Sequence, residues 1–424
     1  MKYNKTILKN GLRVITVPMP SVESVTAMVL VGAGGRYESK KNGGISHFLE
    51  HMTFKGTKKR PSAFEISSVI DGIGGVFNAG TTKEETYFYV KAAAKHLSLS
   101  MDVISDILLN PLIDPLEIDK ERGVIIEEIN MYEDLPMRRV VEYFYRLLFP
   151  NSPLGWDLIG ERDIIRKLTR KDFLDYRKRF YFPKNMVLVV AGGVKENEVV
   201  EVAKNYLESF SAPKEKSPKP SEKFTQERPR IFLKSKQTDQ THVVVGVRGN
   251  PLGHKDQYIE EVLATIIGGG MSSRLFIEVR EKRGLAYYVK TDSDHLLDNG
   301  FLATSAGVDT KRADEAVKVI LNEYQKITDL TSISQKELQK AKEFIKGRLV
   351  LELEDSGNVA GLYGSQELWE GKITTTDEIK GKIDEVSAED VTRVAKGFFT
   401  NDRLNMAIIG PFEDGEKFSK ILRL

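Results

Sequence analysis

The sequence contains no cysteine, which excludes a disulfide framework, thiol catalysis and every thiolate-ligated zinc, haem or iron–sulfur centre. A metal would have to rest on histidine and carboxylate, and only six histidines are available: His47, His51, His96, His242, His254 and His295. Long apolar runs are missing as well. The longest, Val25–Val31 and Met186–Ala191, are strand-length and far short of a bilayer span, so no membrane partner is expected. Neither sign of charge dominates. Sixty-three basic residues face sixty-one acidic ones, and that balance gives no reason to expect nucleic acid as a partner. The opening residues MKYNKTILKNGLRV lack the apolar stretch of a secretory signal, and the expectation is a cytoplasmic protein.

What is present is ample apolar material, 41% over 424 residues, enough for more than one core. The front of the chain reads as a hairpin, Ile7–Leu8 and Leu12–Val17 around Asn10-Gly11, a pair suited to a two-residue type I′ turn. Val25–Val31, Tyr87–Val90 and Met186–Gly192 read as further strands. Helical periodicity marks His47–Phe54, Ala63–Ile70, His96–Leu109, Pro115–Tyr132 and Arg170–Phe180. Strands and helices alternate without a strict βαβ rhythm, which predicts an α+β fold with mixed or antiparallel sheets packed with helices.

Pro213, Pro218, Pro220 and Pro229 stand among Lys, Glu and Ser at mid-chain, the composition of an extended, exposed connector. Shifting the sequence by 218 residues lays Lys171–Gly192 on Glu389–Gly410 without a gap. A shift of 215 lays the strand Thr26–Val31 on Thr241–Gly246 and puts Val262–Ile266 opposite His47–His51. Both shifts are close to half the chain length. The sequence therefore predicts two structurally related domains, residues 1–211 and 231–424, joined by a Pro-rich linker over 212–230. Only the first keeps the polar residues of the motif described next.

That motif is His47-Phe48-Leu49-Glu50-His51. On a helix, residues three and four apart share a face, so His47, Glu50 and His51 project together while Phe48, Leu49 and Met52 turn to a core. Two imidazoles one turn apart suit zinc, and a carboxylate between them can take the proton from a water activated there. The order is that of the H-x-x-E-H motif. Two ordinary surface histidines would fit the spacing too. Zinc needs a third protein ligand. The helix Pro115–Tyr132 places Glu121 and Glu128 two turns apart on one face, among Val124, Ile125 and Ile129, where an unpartnered carboxylate would be expensive. Spacing ranks Glu128 ahead of Glu127 without excluding the latter. The other four histidines have no ligand partner at helical or strand spacing.

HFLEHMTFKGT, followed by FNAGTTKEETYFYV and ERGVIIEE, closely resembles the pitrilysin family of zinc metallopeptidases, in particular the mitochondrial processing peptidase branch and its bacterial relatives. The resemblance runs from NGLRV to the last repeat strand. It implies zinc, one Zn2+ per chain, on His47, His51 and Glu128, with Glu50 as general base and Glu121 supporting the site. It settles Glu128 over Glu127. In Glu278–Tyr288 (EVREKRGLAYY), read without the resemblance, the basic residues are a solvated helix end. The family's second half carries an arginine and a tyrosine seven apart that reach the zinc site of a facing half, and Arg280 and Tyr287 match, with Tyr288 the next candidate. The family also adds the peptide substrate as a strand to an exposed edge, here Gly75–Thr81, with Phe77, Asn78 and Ala79 lining it. The function implied is a zinc-dependent endopeptidase for short or unfolded peptides, held in a closed chamber. With two domains per chain, the implied assembly is a homodimer. The rival reading is a non-catalytic peptide-binding or scaffold subunit of the same fold. Such subunits typically lose the zinc motif, which this chain keeps.

Overall fold

A computed structural model of the chain describes residues 1–211 and 221–424; of the linker expected over 212–230, the part over 212–220 lies outside the described residues. The described residues form two compact units, one within Met1–Ile129, Asp157–Lys219 and Val350–Asp377, the other within Asn130–Trp156, Pro220–Leu349 and Glu378–Leu424. No helix among them is long and apolar enough to cross a membrane.

The first unit is built on strands β1 (Asn4–Ile7), β2 (Arg13–Pro18), β3 (Ser24–Val31), β4 (Val76–Thr81), β5 (Thr86–Ala93) and β6 (Met186–Gly192), in the spatial order β1-β2-β6-β3-β5-β4. All neighbours are antiparallel except β2 and β6. The apolar runs in β3 and β6 are buried almost end to end, as expected of strands covered on both faces. Helix Leu97–Leu109 packs on β3 and β5, while helix Ser356–Trp369 packs on β3 and β6. The second contact is close. The Ser356 hydroxyl lies 2.8 Å from that of Thr26, and a Cβ on Gly364 would come within 2.2 Å of Leu30, so only glycine lets the helix sit there.

The second unit repeats this plan. Strands β7 (Arg230–Ser235), β8 (Gln240–Gly249), β9 (Ala286–His295), β10 (Gly300–Asp309) and β11 (Asn405–Gly410) run in the order β7-β11-β8-β10-β9. Its parallel pair joins β7 to β11, the last strand of the unit in sequence, as β2 pairs with β6 in the first sheet. Helix Pro136–Leu148 covers one side of it through Val140, Phe144 and Leu148 against Val244, Phe301 and Ala407. A separate core holds Val262, Ile320 and Val391 with Val243 and Val245.

Four sequence expectations change in detail. Each unit takes a helix from the other half of the sequence, so the units are not the sequential blocks 1–211 and 231–424. The strand offset of the repeat is 216 rather than 215: Thr26 pairs with Ala191 and His242 with Ile409, and Ala191 matches Ile409 at the 218 shift. A slip of one residue exchanges the two faces of a strand, which apolar runs buried on both sides cannot reveal. The first hairpin is also different. Gly11 N–H bonds to Leu8 C=O at 2.8 Å with Gly11 at φ 89°, so Lys9-Asn10 turn and Gly11 forms a glycine bulge. Of the connector, 221–229 is not a free strand of chain, because Phe224 packs on Phe149 with ring centroids 5.2 Å apart.

Candidate metal centre

The helix Ile45–Thr53 begins at Gly44, held at φ 88°. Its free N–H groups are met by a carboxylate from upstream: Gly44 N–H donates to Glu38 Oε2 at 2.7 Å, and Ser46 N–H and O–H donate to Oε1 at 2.8 and 2.5 Å. An anion at that end also suits the helix dipole. Phe48, Leu49 and Met52 are fully buried. Opposite them, His47, Glu50 and His51 are half-buried on one face, as the spacing predicted.

The second helix, Pro115–Glu133, is anchored by buried Ile118, Ile125 and Ile129, with Glu121 buried among them. Val124, expected in that apolar setting, is instead 51% exposed. Glu128 Oε2 lies 3.7 Å from His47 Nε2 and 3.8 Å from His51 Nε2. Glu127 is exposed and lies outside the group. One ligand atom from each of His47, His51 and Glu128 falls within 4.8 Å of the others, and no other such group occurs among the described residues. Ligands about 2 Å from a tetrahedral zinc are roughly 3.3 Å apart, so the nitrogen–nitrogen–oxygen set fits that ion with a small inward adjustment.

Around these three side chains, hydrogen bonds orient the polar groups. Glu121 Oε1 accepts from His51 Nδ1 at 2.8 Å, and Glu121 Oε2 is 2.5 Å from Lys55 Nζ. The His51 ring thereby offers Nε2 to the centre. His47 Nδ1 has no hydrogen-bond partner among the described residues, so packing alone orients that ring. Glu50 Oε2 accepts from the Thr81 hydroxyl at 2.5 Å. Lys55 and Thr81 were within the quoted motifs, yet only contacts in space identify them.

Burial, aided by the neighbouring His51, lowers the His47 pKa to about 3, against a weaker opposing pull from Glu121. The ring is therefore neutral and its lone pair free. Burial also disfavours charge on His51, but the bond to Glu121 and the charges of Glu50, Glu121 and Glu128 outweigh it, and its pKa is raised. Burial raises Glu50, with Glu128 adding to it and Thr81 and His51 opposing. For Glu121, burial is outweighed by the bonds from His51 and Lys55, and its pKa is lowered.

Phe77, Asn78 and Ala79 lie on β4, the outermost strand of its sheet, paired only with β5. Among the described residues no strand pairs with its other edge, although the Ala79 N–H donates to Asn78 Oδ1 at 2.9 Å. Phe77 stacks near Phe54 just past the histidine helix, centroids 5.5 Å apart. A Cβ on Gly80 would lie 2.5 Å from the Tyr87 hydroxyl, so a larger residue there would have to displace the Tyr87 ring.

Arg280 and Tyr287 are together in the second unit. Arg280 sits in the π-helical turn Phe276–Glu281, its guanidinium 4.9 Å from the Phe276 ring and 5.6 Å from the Tyr287 ring. Lys282 and Arg283 both pair with Glu278, whereas Arg280 has no ion pair among the described residues. Tyr287 is 73% exposed. Tyr288 is half-buried, its hydroxyl 3.1 Å from His242 Nδ1, which leaves Tyr287 as the available phenol.

Comparison with known proteins gives a consistent answer. Residues 13–162 match the family described as insulinase (peptidase family M16), and residues 167–345 match the peptidase M16 inactive domain. An uncharacterized zinc protease of Streptomyces coelicolor is 35% identical over 97% of this chain and 90% of its own length. The uncharacterized zinc protease YmxG of Bacillus subtilis is 35% identical over 95% of this chain and 97% of its own. The crystal structure of a protease from Helicobacter pylori is similar with a TM-score of 0.92 and 28% identity, covering 97% of this chain and 99% of that one.

Proposed function

Because the chain belongs to peptidase family M16, the pitrilysin-type zinc peptidases, we propose that it is a zinc-dependent endopeptidase acting on short or unfolded peptides. The observation that carries this reading is the convergence of His47, His51 and Glu128 within 4.8 Å, with the Glu50 carboxylate on the same helix face. These three would hold one Zn2+ per chain. Bound there, zinc supplies a Lewis acid that polarises the scissile carbonyl and acidifies water. Glu50 takes the proton of the attacking water and passes it to the leaving amine. Glu121 keeps the His51 ring turned to the centre.

The peptide adds to the free edge of β4 beside Phe77, Asn78 and Ala79, held by backbone hydrogen bonds that require an extended chain. Arg280 and Tyr287 anchor the peptide and stabilise the developing oxyanion; the unpaired guanidinium and exposed phenol support that role. The working assembly is a homodimer that closes a chamber around the peptide, with Arg280 and Tyr287 of one protomer facing the metal centre of its partner.

The test is zinc content together with hydrolysis of an unstructured peptide, with and without a chelator, for the wild type and Glu50→Gln. The expected result is one zinc per chain, turnover abolished by the chelator, and a Glu50→Gln chain that keeps its zinc without turnover. Zinc binding without hydrolysis in the wild type would favour a peptide-binding or scaffold subunit. Metal loss in Glu50→Gln would make Glu50 a ligand rather than the base.

A further inference from the structure

We propose that Thr81 is a positioning residue for Glu50, linking the seating of a peptide on β4 to the orientation of the carboxylate that moves the proton. The proposal rests on the reading of Glu50 as base. The Thr81 hydroxyl donates to Glu50 Oε2 at 2.5 Å, and it is the only hydrogen bond this carboxylate makes among the described residues. A terminal carboxylate turns through a broad torsional well. Anchoring Oε2 therefore selects which oxygen is left to face the water.

Thr81 is the last residue of β4, and along a strand it shares a face with Phe77 and Ala79. The hairpin beyond it is braced. The Thr86 hydroxyl donates to Ala33 C=O at 2.8 Å, and Glu85 accepts from Ser365 Oγ at 2.8 Å and Trp369 Nε1 at 2.7 Å. β4 itself is held on one edge only. A peptide pairing along the other edge holds it on both, and so fixes the hydroxyl that fixes Glu50.

The test compares Thr81→Val, which keeps the shape and removes the donor, with Thr81→Ser, which keeps the donor. Each is assayed on a peptide long enough to pair along β4 and on one spanning little more than the cleaved bond. For the long peptide, Thr81→Val should lower kcat by ~10-fold or more with KM changed less than ~3-fold and full zinc content, and Thr81→Ser should recover most of it. The advantage in kcat of the long peptide over the short one should shrink in Thr81→Val. Normal kcat in Thr81→Val beside an inactive Glu50→Gln would overturn the proposal alone, as would a rise confined to KM. Normal turnover in Glu50→Gln would instead overturn the reading of the base.

Discussion

Glu121 holds the His51 ring by its inner nitrogen, Nδ1 to Oε1 at 2.8 Å, while Glu128, two turns along the same helix, faces the outer nitrogen at 3.8 Å. One helix thus supplies both the carboxylate that orients the imidazole and the carboxylate that faces its outer nitrogen. Lys55, two residues past the end of the histidine helix, closes the arrangement by pairing with the second oxygen of Glu121.

Replacing Glu121 by Gln should therefore leave the three ligands in place but weaken zinc binding by ~10- to 100-fold. Lys55→Met should act in the same direction and less. Competition for zinc against a chelator of known strength measures both. Unchanged affinity in Glu121→Gln would remove its orienting role.

Glu128→Gln should lower zinc occupancy far more than Glu127→Gln, because only the first side chain reaches the histidine nitrogens and the second is exposed. Metal analysis after dialysis decides it. Equal retention in the two variants would take Glu128 out of the ligand set.

Two inactive chains should rescue one another if the site is completed across a dimer. A Glu50→Gln chain keeps Arg280 and Tyr287, and a chain with Arg280→Ala and Tyr287→Phe keeps the metal centre. Random exchange makes half the dimers mixed, each with one intact site, so activity should return to about a quarter of wild type if sites act independently. No recovery at any ratio, with subunit exchange confirmed separately, would place the whole site in one chain.

Glu38 should give a pH-dependent stability. Burial pushes its carboxyl up to about 7 from an ordinary 4.5, despite the hydrogen bonds from Ser46 and Gly44 and the charge of Lys83. The folded state then binds the proton more tightly than the unfolded chain. Its contribution is fully present below pH 4.5 and is lost as pH rises through 7. Relative to Glu38→Gln, which does not titrate, the wild type should lose on the order of 3 kcal/mol between pH 4.5 and 8. Denaturant unfolding of both metal-free proteins across that range checks it, and parallel curves would mean that Glu38 titrates as an exposed carboxylate does.

Much of this protein is determined by local pattern. The histidine helix, the glutamate helix and the buried runs of β3 and β6 follow from apolar spacing. So does the shared face of His47, Glu50 and His51, because helical geometry puts residues three and four apart together wherever the helix lies. The repeat was visible for the same reason, through two matching helix–strand segments.

Tertiary structure alone decided the rest. Spacing could rank Glu128 over Glu127 but could not place either beside a histidine some 75 residues away; the packing of two helices does that. Thr81 and Lys55 look like ordinary turn and helix-end residues until β4 and the glutamate helix come within hydrogen-bond reach. The exchange of helices Pro136–Leu148 and Ser356–Trp369 between the units had no local signature, since an amphipathic face specifies that it must be covered and not which sheet covers it. Burial, finally, set the pKa values of His47, Glu50 and Glu38, because the penalty on charge depends on what surrounds a group in space and not on its neighbours in the chain.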